Sequence, residues 1–167
     1  FAENISEHSH QVAVLAHALA LIRRNILHLP GPDPDRCAVA ALYHDASEIL
    51  TGDLPTPIKY YNPDIKDAYK QVERIAGERL LGMLPPELVD SYRSYVLEED
   101  ETVTPIVKAA DKLSAYIKCV EEQKAGNTEF DSAAEQTWNA MKAMGRPELD
   151  WFLDFCLGAF KLNLDQL

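Results

Sequence analysis

The sequence predicts an all-α fold, one helical bundle of about six to seven helices spanning residues 1–167, on three observations. Apolar residues recur at helical spacing along most of the chain, start and stop residues flank those stretches, and no convincing period-two run occurs. With 167 residues and 47% hydrophobic content, the chain is long enough for one real core, and no repeat or long linker divides it.

The first helix opens at Asn4, with Glu7 three residues later in a capping-box pattern, and follows the stripe His8, Val12, Leu15, Leu19, Ile22. That spacing puts His8 on the buried face. The turn Pro30-Gly31-Pro32-Asp33-Pro34 ends the element, and Asp33 is placed to cap a second helix with Pro34 in its first turn. The second helix carries Cys37, Ala41, His44 and Glu48 on one stripe, small side chains first and polar ones last, and stops at Gly52. Asp53-Leu54-Pro55-Thr56-Pro57 cannot continue it, because proline lacks an N–H and biases the preceding residue toward extended geometry. It reads as an ordered loop at a cavity mouth.

Asn62-Pro63 opens a third helix whose apolar side is Ile65, Ala68, Val72, Ile75, Ala76 and Leu80, and Pro85-Pro86 starts a shorter fourth over Glu87 to Leu97. Thr104-Pro105 begins a fifth, with Ile106, Ala110, Leu113, Ile117 and Val120 toward the core and Gly126-Asn127 closing it. Two more helical patterns follow, from Phe130 to Met144 and from Glu148 to Leu162. The acidic run Glu98-Glu99-Asp100-Glu101 reads as a solvated turn before the Thr104 cap.

The formal net charge of −11 argues against binding nucleic-acid polymers or anionic membranes, which need a basic surface. A small anionic substrate is compatible with it if a metal and a few local cations supply positive charge. No bilayer-length apolar stretch and no charged leader is present, so the expected location is cytoplasmic. Cys37, Cys119 and Cys156 are far apart among apolar neighbours, as reduced core thiols would be. The chain opens at Phe1, with no Met and close to a helix start, so a segment upstream of it is expected to be missing.

The chemistry concentrates in Ala41-Leu42-Tyr43-His44-Asp45-Ala46-Ser47-Glu48, where three ionisable groups interrupt an apolar helical stretch. A buried charge needs a partner, and a metal ion is the expected one. On a helix, His44 and Glu48 share a face and Asp45 sits about 100° round. Two ligands do not make a stable site, so other helices must contribute. Asp111, set between Ala109-Ala110 and Lys112-Leu113, is the sharpest candidate, an ion pair with Lys108 or Lys112 being its ordinary alternative. His8, His44, Asp45 and Asp111 would give two imidazoles and two carboxylates from three helices. That set suits one divalent Mn, Co, Fe or Zn and leaves positions for water and substrate. His10, His17 and His28 have no motif context and are assigned no function.

The His…His-Asp…Asp order resembles that of the HD-domain phosphohydrolase superfamily. Four segments narrow the resemblance: Asn4-Ile5-Ser6-Glu7-His8-Ser9, Tyr43-His44-Asp45-Ala46-Ser47-Glu48, Thr51-Gly52-Asp53-Leu54-Pro55-Thr56-Pro57 and Tyr116-Ile117-Lys118-Cys119-Val120-Glu121-Glu122. Together they look like the bacterial YfbR-like 5′-deoxynucleotidases, over most of the chain. The resemblance implies an HD-type bundle and a metal-dependent phosphomonoesterase that hydrolyses nucleoside 5′-monophosphates, deoxy ones preferred, as a homodimer. By the same resemblance His8, His44, Asp45 and Asp111 hold the metal. Glu48 orients or deprotonates the attacking water, and Asp53 contacts the sugar hydroxyl.

In that family a helix ahead of the first His carries an Arg-Trp pair that grips the phosphate and excludes a ribose 2′ hydroxyl. This sequence begins after that point, so the segment is either absent or not included in it; without it the phosphate would lean on local cations such as Lys108 or Lys112. Two rival readings are another HD phosphohydrolase, acting on a triphosphate, a cyclic nucleotide or an alarmone, and a non-catalytic nucleotide- or metal-binding module. Triphosphates call for a dense cationic cluster that the sequence lacks, and a pure binder has no need of Glu48.

Overall fold

The computed structural model describes residues 4–53, 62–162 and 164–166. Its helices are α1 (Ile5–Leu21), α2 (Pro34–Tyr43), the single turn α3 (Glu48–Thr51), α4 (Pro63–Leu81), α5 (Pro86–Val96), α6 (Thr104–Lys124), α7 (Asp131–Ala143) and α8 (Pro147–Phe155). Among the described residues there is no strand, so the expected all-α class holds.

Local chemistry sets the helix starts. The Asn4 side chain accepts from the Glu7 N–H at 3.0 Å while the Glu7 carboxylate accepts from the Asn4 N–H at 3.1 Å, so the capping box is complete. Asp33 accepts from the Arg36 N–H at 3.1 Å, and Asn62 from the Ile65 N–H at 2.8 Å, each followed by a proline whose missing donor costs nothing in a first turn. α6 differs. Thr104 does not cap it; Asp100, upstream, accepts from the N–H groups of Thr102 and Val103. The acidic run is thus not simply solvated, since Glu98 also pairs with Arg36 at 2.5 Å and Glu99 with Arg74 at 2.7 Å.

The core forms where α1 lies between α2 and α6. Val12, Leu15 and Leu19 of α1 and Ile106, Leu113 and Ile117 of α6 are buried, each large aliphatic side chain contributing about 1.5–3 kcal/mol. Ala13, Ala16, Ala20, Ala40, Ala41, Ala109 and Ala110 are buried beside them, and their small side chains let the three helices approach closely.

Three expectations are corrected. The second helix does not run unbroken to Gly52: α2 ends at Tyr43, and residues 44–47 form a turn closed by i→i+3 bonds such as Ala46 N–H to Tyr43 O, 3.0 Å. The predicted apolar side of the third helix is largely open, with Val72 46% and Ile75 68% exposed. α4 packs through Ala76, Gly77 and Leu81, and a Cβ on Gly77 would fall 2.6 Å from Leu97 Cδ2, so glycine is what lets the two segments touch. The last helix ends at Phe155, and Leu157–Lys161 continue as a 3₁₀ segment. Residues 54–57 of the expected loop at the cavity mouth lie outside the described residues.

A π-helical turn, Ile22–Ile26, ends α1 and was not foreseen. It brings Arg23 to the Pro30 carbonyl at 2.6 Å and to Glu148 at 2.9 Å. Glu148 is wholly buried and also accepts from Arg146 at 2.7 Å, so one carboxylate joins α1 to α8 through two guanidinium groups.

Candidate metal centre

His8 sits in the first turns of α1, where its N–H donates to the Asn4 carbonyl at 3.0 Å; the cap that starts the helix therefore also places the imidazole. His44 comes from the turn after α2, and Asp111 from the middle of α6. His8 Nε2 lies 3.2 Å from Asp111 Oδ1 and 3.5 Å from Asp45 Oδ2, while His44 Nε2 lies 3.1 Å from the same Asp45 oxygen. The two imidazole rings are 5.4 Å apart and tilted. His8, His44 and Asp111 each offer a ligand atom, all within 4.8 Å of one another, in a group able to hold a metal ion.

The state of His44 tests whether this group fits a cation. Its Nδ1 lies 2.7 Å from the Ala41 carbonyl, which can only accept, so the proton of the neutral ring is on Nδ1 and Nε2 carries a lone pair. Among the described residues Nε2 is buried and meets no hydrogen-bond partner of good geometry, while Asp45 Oδ2, 3.1 Å away, attracts it electrostatically. A buried nitrogen lone pair, oriented from behind by a backbone carbonyl and facing a second imidazole and a carboxylate, is the donor arrangement a borderline divalent cation takes. The residues fit a metal.

Electrostatics without a metal point the same way. The hydrogen bond to Asp111 raises the pKa of His8 above its ordinary 6.5 despite burial. Burial pulls His44 down, but Asp45, the Ala41 carbonyl and Asp111 outweigh it, and its pKa is raised as well. Burial likewise pushes Asp111 up, and the His8 hydrogen bond with the charges of His44, His8 and Lys112 overcomes it, leaving the carboxyl below its ordinary range. Protons thus fill the role of a cation.

The partner of Asp111 is therefore His8, and the alternative of a plain ion pair to Lys108 or Lys112 does not describe it. Lys112 is half-buried and close enough to act on Asp111 electrostatically, whereas Lys108 is exposed one turn earlier on α6. Glu48 is half-buried at the start of α3, reached through the turn and not along the helix face of His44 as expected; its N–H donates to the Asp45 carbonyl at 2.9 Å. Asp53 is exposed just beyond Gly52, whose φ of +70° ends α3.

Supporting residues that sequence reasoning missed hold the end of α2 in place. Tyr43 packs edge-on against Tyr92 and tilted against Tyr95 of α5, and Arg36 lies over the Tyr95 ring at 4.5 Å while donating to the Ser94 carbonyl at 2.8 Å. No motif marks them; only the packing of α2 on α5 brings them together. The 400 Å³ cleft on that side, lined by Arg36, Arg74, Asp90, Arg93, Glu98 and Glu99, includes none of the His/Asp cluster, and Arg36 and Arg74 are paired there with Glu98 and Glu99.

Two imidazoles and two carboxylates thus converge from α1, the turn after α2 and α6, a donor set of the kind that metal-dependent enzymes use to hold a divalent cation. The chain belongs to the YfbR-like 5′-deoxynucleotidase family, whose model matches residues 1–160. It is 48% identical over 167 residues to a 5′-deoxynucleotidase of Erwinia tasmaniensis, covering 99% of this chain and 84% of that protein. A 5′-deoxynucleotidase of Vibrio vulnificus is 47% identical over 169 residues, covering 99% and 86%. The crystal structure of a Pyrococcus horikoshii protein shares the fold, with a TM-score of 0.66 at 22% identity over 96% of this chain and 84% of that one.

Proposed function

We propose that the protein is a metal-dependent 5′-nucleotidase that hydrolyses nucleoside 5′-monophosphates, deoxy ones preferred, to nucleoside and phosphate. Family membership supports the substrate class. The observation that carries the metal dependence is His44, its Nδ1 committed to Ala41 and its buried Nε2 left for a cation.

In this reading His8, His44, Asp45 and Asp111 hold one divalent cation of the Mn, Co, Fe or Zn type. A cation there supplies Lewis acidity toward phosphoryl oxygens and lowers the pKa of a water toward neutrality. Asp45 touches both imidazoles and keeps them facing each other. Glu48 takes the proton from the attacking water; its N–H donates to the carbonyl of Asp45, which ties its backbone to that of a proposed ligand. Lys112 and Lys108 attract the phosphate, and Asp53 accepts from the sugar hydroxyl. The protein acts as a homodimer in the cytoplasm, a reading consistent with its three free thiols. No helix is long and apolar enough to cross a membrane among the described residues.

The test is phosphate release from a panel of deoxy- and ribonucleoside monophosphates with Mn²⁺, with Co²⁺ and after chelation, for the native chain, Glu48→Ala and Asp45→Ala. Turnover is expected only with metal and with a deoxy preference; Glu48→Ala is expected to lose about 10²–10⁴-fold, the usual scale of general-base catalysis, and Asp45→Ala to lose turnover through weaker metal binding. Equal turnover after chelation, or undiminished turnover in both variants, rules the mechanism out.

A further inference from the structure

One turn along from the cluster, α1 and α6 share a second polar contact that plays no part in the mechanism above. Ser114 Oγ donates to Gln11 Oε1 at 2.8 Å, and Ser114 is only 1% exposed. Gln11 follows His8 by three residues on α1, and Ser114 follows Asp111 by three on α6. Both contacts advance in the same sense on each helix, so α1 and α6 run parallel here and the two contacts are stacked about 4.5 Å apart along them, three rises of about 1.5 Å. Beyond this pair lie buried apolar residues, Val12 and Leu15 from α1 and Leu113 and Ile117 from α6.

Apolar contacts tolerate sliding and rotation, because one aliphatic neighbour replaces another at little cost. A buried hydroxyl does not: moved off register, Ser114 has no water to turn to, and an unmet buried donor is penalised. Buried polar pairs between helices act in this way to fix register. The metal cluster needs such a constraint, since a small displacement of α1 along α6 would separate His8 from Asp111.

We propose that Gln11 and Ser114 are positioning residues for the metal centre, their hydrogen bond holding α1 and α6 in the register at which His8 and Asp111 converge. This inference rests on the metal-binding reading of the cluster. Residues that orient metal ligands from outside the first sphere typically change metal affinity 10- to 100-fold when removed.

The test uses the full chain with Mn²⁺ titrated by calorimetry and Co²⁺ read by its visible absorption, in the native protein, Ser114→Ala, Gln11→Ala and the double variant. Each single variant is expected to melt cooperatively, to bind Mn²⁺ about 10- to 100-fold more weakly and to show an altered Co²⁺ spectrum. The double variant is expected to bind no more weakly than the worse single one, since both remove one bond. Folded variants with native Mn²⁺ affinity and an unchanged Co²⁺ spectrum overturn the proposal, as do losses that simply multiply in the double variant. If Ser114→Ala does not fold, Gln11→Ala, at a half-buried position, decides the matter alone. A native chain that binds neither ion removes the metal reading itself, which separates that failure from the failure of this one.

Discussion

Protons and a cation compete for the same nitrogen atoms in the cluster, and the competition has a calculable slope. His8 and His44 both titrate above 6.5 in the metal-free protein, because carboxylates and, for His44, a carbonyl hold their protons. Below that pH both rings are charged, and a cation must displace two protons to bind. Linkage then sets the metal dissociation constant rising about 100-fold for each unit the pH falls below the two values, about 2.7 kcal/mol, and levelling off above them. Stability of the metal-free protein runs the other way on the alkaline side. A raised folded-state pKa contributes stability that is complete below the unfolded value near 6.5 and is lost as pH rises through the folded value. The depressed pKa of Asp111 contributes above its ordinary 3.8 and is lost as pH falls through the folded value. The metal-free protein is therefore expected to melt at its highest temperature between about pH 4 and 6.5 as far as this cluster is concerned. It should weaken toward pH 8, while metal-saturated protein gains over that interval. Calorimetric titration of Mn²⁺ from about pH 5 to 7.5, paired with thermal melts with and without chelator, reads both trends. An affinity that is flat below pH 6.5 would refute the assignment of the two imidazoles as ligands, and His44→Ala should reduce the slope from two protons to one.

Two further outcomes concern the frame that carries the site. Glu148→Ala strands the Arg23 and Arg146 guanidinium groups beside a site that is now empty of negative charge, and should cost about 3–5 kcal/mol, about 10 °C or more in melting temperature for a chain of this length. Urea unfolding checks it, and a loss under 1 kcal/mol would mean water replaces the carboxylate. Gly31→Ala places a Cβ 2.9 Å from Arg23 Cδ, so the arginine must give up its bond to Pro30 or the loop must shift, for about 1–3 kcal/mol measured in the same assay.

What the sequence disclosed was what is local. Asn4 with Glu7, Asp33 with Pro34 and Asn62 with Pro63 are decided within four residues, and each cap is formed as expected. The stripes of α1 and α6 were legible because those helices are buried along their length. α4 was not, since its apolar face is buried only at its C-terminal half, where Gly77 meets Leu97, and periodicity cannot tell a covered stripe from an open one. The break after Tyr43 was hidden for a different reason: Leu42 to Leu50 contains neither Gly nor Pro, and what stops the helix is a side chain, His44, turned back onto the Ala41 carbonyl. In the site, His8, His44 and Asp111, expected from three separate segments, lie close together, with Asp45 near both rings. The ion pairs of Glu148 left no trace in the pattern, because 125 residues separate it from Arg23.

The place where α2 stops has a consequence for the charge at the cluster. A helix C-terminus carries the equivalent of about half a negative charge, and here its Ala41 carbonyl lies 2.7 Å from His44 Nδ1, beside Asp45. The turn at which α2 stops therefore favours positive charge at the cluster, whether a proton or a cation carries it.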